Sequence, residues 1–242
     1  MQSAKGNFVL FEKKMKAANL PPVTIETFKT YYDRLVKGDT GLIPESDIRP
    51  VKAVEDLEKI RSEEFDDLGE QHIGQTVVIK LNGGLGTSMG MQKAKSLLTV
   101  KDGLTFLDII VRQTLSLSTP VPVVFMNSFS TRKDTLDALE AYPELNKNGV
   151  PLDFLQHKVP KVDAARLTPV DSEEDPSLSW CPPGHGDLYQ ALVTGGVLDA
   201  LLEKGYRYAF VSNADNLGAF LDATILGYFI KKSLPFMMEV AD

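Results

Sequence analysis

Apolar positions along the chain follow two different rhythms, and the change comes near residue 65. Before it, Phe8, Phe11 and Met15 are spaced as one face of a helix, and Phe28, Tyr31, Tyr32 and Leu35 repeat that spacing after Pro21-Pro22. A looser stretch from Asp39 to Pro50 leads into a charged segment, Ala53 to Ser62, that also predicts a helix. Stripes of this kind are packing faces. After Gly74 short apolar runs alternate with helical patterns. The predicted strands are 77–80, 122–127, 152–156, 208–212 and 236–240, and the predicted helices are 105–117, 132–141, 188–203 and 223–232. Several of these strands are apolar throughout, which fits a mostly parallel sheet flanked by helices. The expected class is α/β, with a helical N-terminal extension at 1–65 and an α/β domain at 66–242.

In such sheets ligands bind beyond the carboxyl ends of the strands. The first strand opens there into Leu81-Asn82-Gly83-Gly84-Leu85-Gly86-Thr87-Ser88-Met89-Gly90, with Lys95 close behind. Glycines at this density leave the backbone free to approach a ligand and to turn its N–H groups inward around an anion. Lys95 adds a positive charge. Strand, glycines and lysine together point to a nucleotide phosphate site. Two common versions fail on spacing. A Walker A loop needs Lys directly after its last glycine, and Met91 stands there. The dinucleotide fingerprint needs a third glycine where Met89 stands.

Composition narrows the setting without naming a function. The 242 residues carry 26 Lys and Arg against 33 Asp and Glu, a net charge of −7, so no basic surface for nucleic acid is expected. No apolar run approaches membrane-spanning length, and the first residues lack a signal-peptide hydrophobic block. A single cysteine, Cys181, excludes an internal disulfide and suits a reducing cytoplasm. His72, His157 and His185 show no metal-ligand spacing.

The pattern G-G-x-G-T-x-M-G, four residues and Lys closely resembles the nucleotide loop of UTP-dependent sugar-1-phosphate uridylyltransferases, and most specifically the eukaryotic-type UDP-glucose pyrophosphorylases. Three further segments stand in that family's order: Phe154-Leu155-Gln156, Trp180-Cys181-Pro182-Pro183-Gly184-His185-Gly186-Asp187, and Ser212-Asn213-Ala214-Asp215-Asn216-Leu217-Gly218-Ala219. The His-Gly pair separates the chain from UDP-N-acetylhexosamine relatives. The resemblance implies a Rossmann-like nucleotidyltransferase fold of the GT-A type. It also implies transfer of the uridylyl group of UTP to glucose 1-phosphate, giving UDP-glucose and pyrophosphate. Alternatives within reach are a broader UDP-sugar pyrophosphorylase and a non-catalytic UTP- or UDP-sugar-binding fragment.

On this resemblance Gly83, Gly84, Leu85 and Gly86, with Leu81 before them, bring backbone to UTP, Thr87 adds a hydroxyl, and Lys95 neutralises phosphate charge in catalysis. Gln156 offers donor and acceptor to the uracil edge. Gly186 lets the ring stack on backbone, and catalytic His185 donates to a sugar-phosphate oxygen. Asn213 and Asp215 complete the nucleotide site. The Asp215 carboxylate suits Mg²⁺ shared with substrate phosphates, although Asp and Asn there also suit a helix cap or Asx-turn. Family members are roughly twice this length and carry a C-terminal β-helix domain. The expectation is therefore that the chain corresponds to their N-terminal half, ending inside a sheet strand or at its exit.

Overall fold

Apolar β-branched runs make the sheet, and local capping chemistry sets where the helices around it begin. The computed structural model describes residues 6–85 and 93–240. In chain order its helices are α1 (Phe8–Ala17), α2 (Pro22–Val36), α3 (Leu57–Ile60), α4 (Glu63–His72), α5 (Phe106–Leu115), α6 (Arg132–Leu139), α7 (Leu188–Thr194), α8 (Val197–Glu203) and α9 (Ala223–Lys231). Its strands are β1 (Thr76–Asn82), β2 (Thr99–Lys101), β3 (Leu104–Thr105), β4 (Val123–Asn127), β5 (Asp153–Leu155), β6 (Val159–Pro160), β7 (Trp180–Cys181) and β8 (Tyr208–Asn213). They form two compact units: residues 1–50 with 155–195, and residues 51–154 with 196–242. Helix α4 runs across residue 65, where the sequence pattern divided the chain.

The second unit holds a four-stranded sheet in the order β5-β4-β1-β8. Strand β1 is parallel to both neighbours, with Asn82 level with Asn127 and Leu81 level with Asn213. Three strands thus deliver asparagines to the same carboxyl edge. Val123, Val124, Phe125 and Met126 are fully buried, as expected of a central parallel strand. One face packs Val78 and Phe125 against Leu107, Ile110 and Val111 of α5. That helix starts at a reciprocal cap: Thr105 Oγ1 accepts from the Asp108 N–H, and the Asp108 carboxylate accepts from the Thr105 N–H. Helices α4 and α9 meet at Gly69 and Gly227, where a Cβ on either would lie 1.9 Å from a backbone oxygen of the other helix. The contact exists because both residues lack a side chain.

Helices α1 and α2 of the first unit pack through aromatic rings, with Phe11 5.2 Å from Phe28 and 4.9 Å from Tyr32. The buried Tyr32 hydroxyl donates to the Leu167 carbonyl at 2.7 Å. A two-stranded antiparallel ribbon of β6 and β7 belongs to the same unit.

Four expected elements differ. The helix expected at 53–62 is the single turn α3, because Asp56 caps one start and Ser62 caps another, the Ser62 side chain accepting from the Phe65 N–H. The helix expected at 188–203 is broken into α7 and α8 by Gly195-Gly196, with Gly196 left-handed at φ 69°. Residues 236–240 make no strand, since no described residue pairs with them, and Phe236, Met238 and Val240 are exposed. The strand expected at 152–156 stops at Leu155.

Candidate functional site

Strand β1 ends on a buried polar lattice just before the glycine stretch. The Asn82 side-chain amide donates to Asn127 Oδ1 at 2.8 Å and Thr135 Oγ1 at 2.9 Å, and the Asn82 backbone carbonyl accepts from Thr131 Oγ1 at 2.8 Å. Asn127 passes the chain on to Asp153 at 3.2 Å, and Asp153 is held by Arg132 Nε at 2.8 Å. Buried polar groups satisfied this fully hold one arrangement. None of these residues was singled out from the sequence. The available signal was the pair of asparagines closing two apolar strands, Asn82 and Asn127.

The ends of the glycine stretch are tied together. Gly84 accepts from the Lys95 N–H at 3.1 Å, and Leu85 bridges Ala94. Gly86 and Thr87 lie outside the described residues. The Lys95 side chain lies along Gly84, whose missing Cβ would stand 3.8 Å from Lys95 Cδ. Its ammonium reaches the Asp215 carboxylate at 3.8 Å, with the two side chains 39% and 44% exposed. An ion pair this open and this long contributes little to stability. Both partners are therefore available to a ligand at small expense. Asp215 sits in the turn after β8, and its neighbours Asn213 and Asn216 are also exposed. Asp215 makes no helix cap; Asp222 caps α9 instead. Among the described residues no cluster of three or more His, Cys, Asp or Glu could hold a metal ion. One exposed carboxylate still fits Mg²⁺, which takes few protein ligands and completes its shell with water and phosphate oxygens.

In the first unit two consecutive residues hold one turn. Gln156 Nε2 donates to the Gly184 carbonyl at 2.8 Å. The next residue, His157, gives its backbone N–H to Asp187 Oδ2 at 2.7 Å and its Nδ1 to Oδ1 at 2.9 Å, while Nε2 meets Thr194 Oγ1 at 3.0 Å. With β5 ended at Leu155, strand alternation does not send Gln156 and His157 to opposite faces, and both side chains serve the same turn. Gly184 takes φ 105°, which requires glycine. His185 and Gly186 lie between the anchored ends and are exposed. A carbonyl acceptor orients the Gln156 amide, and the residue is only 3% exposed. Cys181 is a free thiol whose pKa burial raises, as expected of a structural cysteine.

Burial alone pulls the Lys80 ammonium down from 10.5 to about 8. Below pH 8 it is charged in both folded and unfolded chains, and its desolvation weighs fully against folding. Between about 8 and 10.5 the folded chain has released a proton that the unfolded chain still binds, so stability rises with pH across that window. The difference in unfolding free energy between the parent and Lys80→Met, measured in urea, should shift toward the parent by up to about 3 kcal/mol from pH 7 to pH 10. A difference that stays flat would show that no buried ammonium is present.

Comparison with known proteins decides the family. A family model described as UTP–glucose-1-phosphate uridylyltransferase matches residues 25–242. The chain belongs to that family. It is 44% identical over 177 residues to the UTP–glucose-1-phosphate uridylyltransferase of Saccharomyces cerevisiae, covering 71% of this chain and 35% of the yeast protein. A Trypanosoma brucei structure described as UDP-glucose phosphorylase superposes with a TM-score of 0.86 at 42% identity, covering 95% of this chain and 49% of that one. A Leishmania major UDP-glucose pyrophosphorylase variant in complex with UDP-glucose gives 0.85 at 40%, covering 94% and 48%. The chain thus spans about a third to a half of the length of these relatives. The expected fold class holds: a mostly parallel α/β sheet flanked by helices, similar to nucleotidyltransferases. No described helix is long and apolar enough to cross a membrane.

Proposed function

We propose that this chain binds UTP with Mg²⁺ and supports transfer of its uridylyl group to glucose 1-phosphate, giving UDP-glucose and pyrophosphate. The observation that carries the reading is the meeting of Gly84, Lys95 and Asp215 at the carboxyl ends of parallel strands β1 and β8. In the proposed step a phosphate oxygen of glucose 1-phosphate attacks the α-phosphorus of UTP. The bridging α–β P–O bond breaks, and pyrophosphate leaves with its electron pair. The nucleophile is already an anion, so no covalent enzyme intermediate is needed. Lys95 and the Gly83–Gly84 backbone neutralise and place the phosphates, and Asp215 would hold Mg²⁺, which supplies further charge neutralisation when bound. Gln156 reads uracil, Gly186 gives the ring backbone to stack on, and His185 donates to a sugar-phosphate oxygen. A cytoplasmic setting is consistent with the free Cys181.

Calorimetry with Mg·UTP, followed by assay of pyrophosphate release with glucose 1-phosphate, tests the proposal. Binding with turnover is the expected result, and no UTP binding overturns it. Binding without turnover would favour the second reading, a non-catalytic UTP- or UDP-sugar-binding chain. Turnover with several sugar 1-phosphates would indicate a broader UDP-sugar pyrophosphorylase.

Base choice gives a sharper check. CTP reverses the hydrogen-bond pattern at N3 and the exocyclic group, and a mismatch that leaves buried polar groups unpaired costs about 1–3 kcal/mol. Gln156→Ala is expected to weaken UTP binding and to narrow its preference over CTP. Loss of the Gly184 bond alone would weaken both nucleotides equally, so unchanged discrimination removes Gln156 from base reading.

A further inference from the structure

Lys80 stands near the middle of β1 and is only 3% exposed. Among the described residues no carboxylate pairs with it. Its ammonium donates to Ser212 Oγ at 2.7 Å and to the Ala219 carbonyl at 2.9 Å, and lies 5.7 Å from the Phe210 ring centroid. It lines a cavity of about 360 Å³ whose other walls, including Gln113 and Thr114 of α5 and Phe220 and Leu221, carry no titratable group. A cation kept here without a counter-charge is unfavourable compared with an apolar residue of the same length. Its two partners show what the charge does. Ser212 and Ala219 bound the segment that carries Asp215. Between them the Ala214 N–H donates to the Leu81 carbonyl at 3.0 Å, the Asn216 N–H to Asn213 at 3.2 Å, and Gln113 Nε2 to the Leu217 carbonyl at 3.2 Å. One buried ammonium therefore grips both flanks of the turn, from a strand residue two positions before Asn82.

We infer that Lys80 is a positioning residue that holds the Ser212–Ala219 turn against β1, fixing the Asp215 carboxylate for its ligand. Charge-assisted bonds to a hydroxyl and a carbonyl are short and directional, which an apolar side chain cannot reproduce. The inference rests on the nucleotide reading for the identity of that ligand, but the grip on the turn stands apart from it.

The test has two arms on the 242-residue chain. Hydrogen exchange at the Ala214 and Asn216 amides should accelerate at least about tenfold in Lys80→Met, with β4 amides unchanged. Mg·UTP affinity should fall about tenfold in Lys80→Met while UTP in EDTA binds as before. The double variant with Asp215→Asn should bind Mg·UTP no more weakly than Asp215→Asn alone, because one residue acts through the other. A general loss of stability would instead weaken both forms of UTP and add to Asp215→Asn. Unchanged exchange, or additive losses, overturns the inference. If the parent binds no UTP, the nucleotide reading fails and the exchange arm still decides the role of Lys80. Should Lys80→Met not fold, Gln113→Leu removes one tether from the same turn and should show the same pattern at smaller amplitude; no change there overturns the inference.

Discussion

Lys95→Ala is expected to lower kcat/KM for UTP by about 10²-fold or more, because it removes the cation whose side chain lies along Gly84 at the tied ends of the glycine stretch. In a chain that binds without turnover, the same loss should appear in the Kd for UTP. The magnitude follows from context. Lys95 now faces a single exposed carboxylate at 3.8 Å, a weak interaction, whereas a triphosphate presents several negative oxygens in a site that becomes drier on binding. Lys93, two residues earlier and exposed, is the internal control, and Lys93→Ala should change either quantity by less than about twofold. Measured side by side, equal losses from the two variants would mean that the positive charge acts diffusely, and Lys95 would lose its assigned role.

The second large effect concerns folding. Gly227→Ala should abolish or severely reduce the stability of the second unit, by more than about 3 kcal/mol. Alanine is the better helix former by about 1 kcal/mol, so propensity alone predicts a gain. Packing predicts the opposite, because the added Cβ would stand 1.9 Å from the Phe65 carbonyl oxygen and 3.0 Å from the Gly69 nitrogen. Backbone cannot rotate aside as a side chain can, so α4 and α9 must part. Gly69→Ala meets the Ala223 carbonyl in the same way and should behave alike. Urea denaturation of both variants decides between the two effects. A midpoint at or above the parent's would show that the helices tolerate separation.

Much of this arrangement was legible in the residues. The buried runs around Val78 and Val124 alternate with helical stripes, and that periodicity carries the class of fold. The motifs fall at strand ends because that is where parallel strands hand the chain to loops. What stayed hidden depends on contacts distant in sequence. Gly69 and Gly227 are ordinary helix glycines until two helices cross. Lys80 is a polar interruption in an apolar run until Ser212 and Ala219 come beside it. The pairing of His157 with Asp187 could not be read either, because it joins residues distant in sequence just past the point where the strand stops. Gly195-Gly196 was a miss with a local signal, since a glycine pair inside a helical pattern is a stop.

The lattice around Asn82 has a consequence for chemical ageing. Asn82 is followed by Gly83, a dipeptide in which the next backbone nitrogen easily attacks the side-chain carbonyl, expels ammonia and closes a succinimide that reopens largely to isoaspartate. Such a change would insert an extra carbon into the backbone at the entrance to the glycine stretch. In the folded chain both N–H groups of the Asn82 amide are engaged, by Asn127 and Thr135, and the side chain is not free to swing toward its own backbone. Asn148-Gly149 is exposed, and there the Asn148 amide is held instead by the Tyr206 hydroxyl and the Val150 N–H. The hydrogen bonds that shape the end of β1 thus also protect its covalent integrity, and that protection is lost whenever the chain unfolds.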